Sequence, residues 1–177
     1  HLQIYELKQS QLVRNSTKEI ALVLDKKQQI TWQALKDRFD FIFIGLHGGA
    51  GENGQVQGML EMLGCPYNGS SVFTSALAMD KYKTGKFLRS HGFDIPGQLL
   101  VSHRQWTTQR NSIKQTIAQT CNYPCIVKPY DDGCSVMVQK VGSETQLDQA
   151  LTTIFADKKD ALVEEFVKGM ELTVGVV

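Results

Sequence analysis

An apolar strand that ends on a lysine and runs into a glycine-containing loop constrains this chain more than any other feature. Cys125, Ile126 and Val127 form the strand and Lys128 closes it. The loop is Pro129-Tyr130-Asp131-Asp132-Gly133-Cys134-Ser135, and Val136, Met137 and Val138 read as a second strand. A lysine in that position needs an anionic partner, either a protein carboxylate or a ligand phosphate. A cation beside exposed loop N–H groups is a way to hold phosphate. Taken alone, the segment also reads as a plain hairpin, so the surrounding chain has to decide.

Downstream of Gly97 the pattern is β, α, β, β, α, β. Gln98 to Ser102 reads as a short strand, and residues 111–121 as an amphipathic helix with Ile113, Ile117 and Cys121 on one stripe. Ser143 and Gln146 have the spacing of a capping box, and Leu147, Ala150, Leu151, Ile154 and Phe155 follow at helical intervals. Residues 161–166 read as a strand whose alternation puts Val163 and Glu165 on one face and Leu162 and Glu164 on the other. This order predicts an antiparallel sheet with helices packed on one face, an α+β layer.

Upstream, Ile20 to Leu24 reads as a short strand, and Asp40 to Leu46 as a strand covered on both faces. The second runs into His47-Gly48-Gly49-Ala50-Gly51-Glu52-Asn53-Gly54. A helix carrying Val56, Leu60 and Leu63 follows, stopped by Gly64. Strand, glycine-rich turn and helix make half of a βαβ unit. Residues 65–69 form a loop and a candidate domain boundary. Ser70 or Ser71 then caps a helix, and residues 80–91 form another.

Composition excludes several classes. Of 177 residues, 42% are hydrophobic and 21% charged, with a net charge of +1, as in a globular protein with no nucleic-acid footprint. No apolar run reaches the roughly 20 residues needed to span a bilayer, so neither nucleic acid nor membrane is an expected partner. The start, His1-Leu2-Gln3-Ile4, lacks the basic and apolar regions of a signal peptide. Cys65, Cys121, Cys125 and Cys134 include no Cys-x-x-Cys pair and no zinc spacing. They read as reduced thiols of a cytoplasmic protein, and no metal ligands are assigned. The chain stops at Leu172-Thr173-Val174-Gly175-Val176-Val177, which reads as the inside of a buried strand. Both ends therefore look cut, and a fragment is expected.

Three chemistry-bearing positions stand out. His47 lies where an apolar strand meets a glycine-rich turn, the end of a strand at which α/β sheets bind ligands; an ordinary turn histidine is the plainer reading. Lys81 follows Ala78-Met79-Asp80 at a helix start and by itself is a solvated lysine. Glu164 and Glu165 sit in an apolar strand, so one of them points inward and needs donors. Lys128 or a ligand such as adenine or ribose would supply them. Glu171, beyond the strand, by itself reads as a surface residue.

Together these segments resemble the D-alanine–D-alanine ligases of the ATP-grasp superfamily. The matching stretches are Leu46 to Gly54 with Gln57-Gly58, Ala76 to Lys81, Val127-Lys128-Pro129 through Ser135-Val136, and Glu164-Glu165-Phe166 through Glu171-Leu172-Thr173-Val174. They cover about residues 40 to 177, and the first 40 match only loosely. The resemblance implies α/β plus α+β architecture. Residues 1–69 would form a partial Rossmann-like N-terminal layer lacking its first strand. Residues 70–164 would form the small ATP-grasp subdomain, and residues 165–177 the start of the truncated large one.

The resemblance further implies ATP, Mg²⁺ and D-alanine as ligands, peptidoglycan synthesis as the role, and a homodimer for the full-length protein. Lys81 and Lys128 look like the two phosphate-holding lysines. Glu164, with the backbone of Glu165 and Val167, looks like the adenine edge, and Glu171 like the ribose carboxylate. His47 looks like the histidine near the first D-alanine, and residues 131–135 like a lid in which Ser135 takes a catalytic part. Where the family has Gly-Ser-Ser in the lid, this chain has Gly133-Cys134-Ser135, and a thiol is the weaker hydrogen-bonding group. The family's N-terminal glutamate has no counterpart, and the oxyanion arginine and the Asp, Glu and Asn that bind Mg²⁺ are absent. A ligase with another acceptor such as D-lactate, and a non-catalytic nucleotide-binding module, are the alternatives.

Overall fold

The computed structural model describes residues 3–8, 17–133, 135–157 and 160–175. His1 and Leu2, Cys134, and Val176 and Val177, to which the sequence assigns features, lie outside those residues. The chain divides into two compact units, residues 1–44 with 57–69, and residues 45–56 with 70–177.

In the first unit, β1 (Ile4–Tyr5) pairs antiparallel with β2 (Gln29–Ile30), Ile4 facing Ile30. Between them lies α1 (Thr17–Val23), and after them α2 (Ala34–Arg38). Residues 20–24, read as a strand, belong mostly to α1. Ala21 and Leu22 are strong helix formers, and a five-residue apolar run has no periodicity that separates helix from strand. Leu22 is 86% exposed, so no buried face drew the segment into a sheet.

The run from Asp40 to Leu46 also departs from expectation. Among the described residues it makes a single parallel bridge, Ile42 to Tyr67, and Phe43 is 78% exposed. Asn68 stands in for a neighbouring strand: its Oδ1 accepts from the Ile44 N–H at 2.5 Å and its amide donates to the Ile44 carbonyl at 3.5 Å. A side-chain amide satisfies one backbone position but cannot extend a ladder. The predicted helix is present as α3 (Gln55–Leu63), with Val56 and Leu60 buried. Gly64 ends it at φ 67, in the left-handed region open to glycine.

The second unit contains α4 (Val72–Met79), α5 (Lys81–Ser90), β3 (Gln98–Val101), α6 (His103–Thr120), β4 (Cys125–Pro129), β5 (Gln139–Val141), α7 (Glu144–Ala156) and β6 (Ala161–Glu165). Short polar side chains start the helices. Ser71 accepts from the Thr74 N–H, and Asp80 from the Lys83 N–H at 2.9 Å. At Ser143 the capping is one-sided, because Gln146 Oε1 turns instead to the Gly142 N–H at 2.7 Å. The reciprocal box is on α6, between Ser102 and Gln105.

The four strands form an antiparallel sheet in the order β3-β6-β4-β5. Leu99, Val163 and Val127 stand in one row, and Val101 and Ala161 in the next. This face packs against α6 and α7 through Trp106, Ile117, Leu147, Leu151 and Ile154. Each fully buried Leu or Ile contributes about 1.5–3 kcal/mol, so this helix-covered face is the main source of stability. The strand after the loop lies at residues 139–141 and not at the apolar run 136–138, since residues 135–137 are in a turn with Ser135 and Met137 at φ 55 and 56. Residues 171–175 carry no regular structure, and Leu172 is 80% exposed. Apolar sequence makes a strand only where another strand offers hydrogen bonds, and no described strand pairs with this one.

Candidate functional site

The opposite face of the sheet holds the charged residues. Strand alternation and the antiparallel register put Gln98, Glu164, Ile126 and Lys140 in one row, and Leu100, Leu162 and Lys128 in the next. Glu165, one residue along, points elsewhere. Its Oε2 accepts from the Gly97 N–H at 3.2 Å, and its own N–H donates to the Gly97 carbonyl at 2.9 Å.

Glu164 is held from two sides. One carboxylate oxygen forms an ion pair with Lys128 Nζ, and the other accepts from Gln98 Nε2 at 2.6 Å. The Lys128 and Glu164 side chains are 20% and 15% exposed, so each charge has lost most of its water and depends on its partner.

Lys81 joins this pair from α5. It is the first residue of the helix, and its N–H donates to the Tyr130 carbonyl at 2.9 Å. Its ammonium donates to the Asp132 carbonyl. Burial, and then the charge of Lys128, hold Lys81 below the ordinary lysine range, with Asp132, Asp131 and Glu164 opposing. The Lys128 contribution means that the two cations share one region. A bound polyanion would cancel their repulsion and offset the cost of their burial.

The glycine turn after His47 lies against the loop after β4. A Cβ on Gly133 would come within 3.3 Å of Glu52 Oε2 and 3.9 Å of Gly48 Cα. His47 itself is exposed. Ser135 is exposed in the turn beyond Gly133. Val167 and Glu171 are exposed past the end of β6, and no hydrogen bond or ion pair ties Glu171 to Lys81, Lys128 or Glu164 among the described residues. Of the residues singled out from sequence, Lys81, Lys128 and Glu164 are therefore brought together, with the 131–133 loop beside them.

Two residues at this site carried no assignment from sequence. The sequence places Gln98 in a strand and assigns it no role; the available signal is a polar amide opening an otherwise apolar strand. Gly85, one turn after Lys81, is buried against the Gln98 side chain, and nothing in its sequence neighbours marks it.

The family model described as "D-ala D-ala ligase C-terminus" matches residues 87–177, and "D-ala D-ala ligase N-terminus" matches residues 3–70. The chain belongs to the D-alanine–D-alanine ligase family. A relative from Carboxydothermus hydrogenoformans, named D-alanine–D-alanine ligase, is 34% identical over 87% of this chain and 49% of its own length. Among solved structures, the D-alanine–D-alanine ligase of Bacillus anthracis complexed with ATP is 31% identical with a TM-score of 0.64, over 78% of this chain and 45% of that one. The VanG D-Ala:D-Ser ligase of Enterococcus faecalis is 26% identical with a TM-score of 0.71, over 89% of this chain and 49% of that one. The chain thus spans about half the length of these family members. The sheet of the second unit is the α+β part of an ATP-grasp fold.

Proposed function

We propose that the sheet face bearing Lys128 and Glu164, with Lys81 at the start of α5, holds ATP, and that the chain is the nucleotide-binding part of an ATP-dependent D-alanine–D-alanine ligase. The observation that carries this reading is the convergence of two lysines and a mostly buried carboxylate in one region. A solved family member with ATP bound, similar over most of this chain, supports the choice of nucleotide.

In this reading Lys81 and Lys128 neutralise phosphate oxygens, each exchanging a protein partner for the ligand. Glu164 and the backbone of Glu165 and Val167 meet the adenine edge, and Glu171 meets the ribose. His47 and Ser135 face the first D-alanine, with residues 131–135 over the phosphates. ATP supplies a phosphoryl group that passes to the D-alanine carboxylate. The amine of a second D-alanine then attacks that carbonyl and phosphate leaves, so one C–N bond forms and one C–O bond breaks. The lysines assist by fixed positive charge where negative charge collects. Among the described residues no three His, Cys, Asp or Glu side chains form a metal site. They do not by themselves fit Mg²⁺, and no role here depends on it. In the whole protein the product would serve peptidoglycan synthesis in the cytoplasm, and the whole protein would be a homodimer.

The test is ATP binding to the chain and to Lys128→Ala. Binding that weakens at least tenfold in the variant supports the reading, and unchanged binding overturns it. Phosphate release with ATP and D-alanine should stay at background for the 177 residues alone; turnover would overturn that part.

A further inference from the structure

Gln98 makes an unusual pair of contacts. Its Nε2 donates to Glu164 Oε1 at 2.6 Å, while its Oε1 is buried with no hydrogen-bond partner. A carboxylate only accepts, so the NH₂ end must face Glu164. An amide that leaves its own oxygen unsatisfied pays a desolvation cost, and one bond to Glu164 is what it gains. Room for it comes from Gly85 on α5, where a Cβ would overlap the Gln98 amide. Lys81 and Gly85, four residues apart, share a helix face, so the helix that carries one site cation also makes space for this amide.

We propose that Gln98 is a positioning residue that orients the Glu164 carboxylate and so selects a nucleobase carrying an exocyclic amine; this rests on the ATP reading of the same face. Gln98 holds Oε1, so the carboxylate keeps its orientation when Lys128 exchanges Oε2 for a phosphate. A lone pair of Oε1 stays open to a ligand N–H donor. An amine on the base satisfies it, whereas a carbonyl at the same position sets oxygen against oxygen. Sites built to hydrogen-bond a donor reject analogues that lack it.

The experiment is calorimetric titration of the chain with ATP and with inosine triphosphate, whose base has a carbonyl in place of that amine. Wild type, Gln98→Met, Gly85→Ala and Lys128→Ala are compared. Gln98→Met keeps length and loses the donor. Gly85→Ala keeps Gln98 but pushes its amide off Glu164, although Ala is the better helix former. Both are expected to weaken ATP about tenfold and leave inosine triphosphate unchanged, so that the preference between the two collapses. If Gln98→Met does not fold, Gly85→Ala carries the test. Unchanged preference, or equal loss for both nucleotides, overturns the positioning role while a Lys128→Ala defect keeps the ATP reading intact. Wild-type chain that binds no ATP, or Lys128→Ala that binds normally, overturns both.

Discussion

Lys128 and Glu164 are joined diagonally across two strands. The register sets Lys128 opposite Leu162 and Glu164 opposite Ile126, so the ion pair spans a two-residue offset that long side chains can bridge. Removing one partner leaves the other poorly solvated. Lys128→Met and Glu164→Gln should each destabilise the fold by about 1–3 kcal/mol. The double variant should cost clearly less than the two singles added. Urea denaturation of all four proteins checks this, and strict additivity would contradict it.

Lys81 predicts a proton-linked binding event. Burial and Lys128 depress its pKa in the folded chain. The sign follows from the charged form being disfavoured: the penalty is present below the folded pKa, and stability rises as pH climbs through it towards the unfolded value of 10.5. A phosphate beside the ammonium acts in the opposite direction and raises the pKa. ATP binding at alkaline pH should therefore take up protons, visible as a dependence of the calorimetric heat on buffer ionisation enthalpy. Lys81→Arg, always protonated, should lose that dependence.

Gly54 sits at φ 90, and a Cβ there would come within 2.8 Å of the Val72 carbonyl oxygen. Both the dihedral and the space exclude a side chain. Gly54→Ala should cost about 2–4 kcal/mol, from the left-handed backbone and from the displaced start of α4. A melting temperature within a degree of wild type would refute it.

Asp148 on α7 receives Arg110 at 2.7 Å and Lys114 at 3.1 Å from α6. Burial pushes its carboxyl up, but the two cations outweigh burial and hold it below the usual carboxylate range. Its contribution is thus present above the unfolded carboxylate pKa and disappears as pH falls through the folded one. Asp148→Asn should cost about 0.5–1 kcal/mol at neutral pH and nothing once the wild-type carboxyl is protonated. Denaturation of both proteins across that range measures the convergence.

Legibility differed sharply between the two parts of the chain. After Gly97, long helical periods, Ser143 at a helix start, and the alternation around Glu164 made the sheet and its two faces readable, although the helix read from residue 111 begins at His103, capped by Ser102. Before residue 47, the apolar runs at 20–24 and 40–46 carried no period that separates helix, strand and bridge. The first became α1, and the second met Asn68 rather than a strand. At the site, Lys81, Lys128 and Glu164 were readable because charges in apolar or helix-start positions demand partners. Gln98 and Gly85 were not, because an amide opening a strand is only a weak signal and a glycine announces nothing until something packs against it.

Sequence by itself determined the order of elements in the second unit, where most helices begin, and which strand residues alternate between the two faces. Those depend on local hydrogen bonds and on periods of two and 3.6 residues. Only the tertiary structure decided that Lys128 takes Glu164 and leaves Glu165 to Gly97, and that α5 brings Lys81 and Gly85 to that face. Register between strands far apart in the chain, and the packing of a helix across them, are set by the whole core, and no local window contains that information.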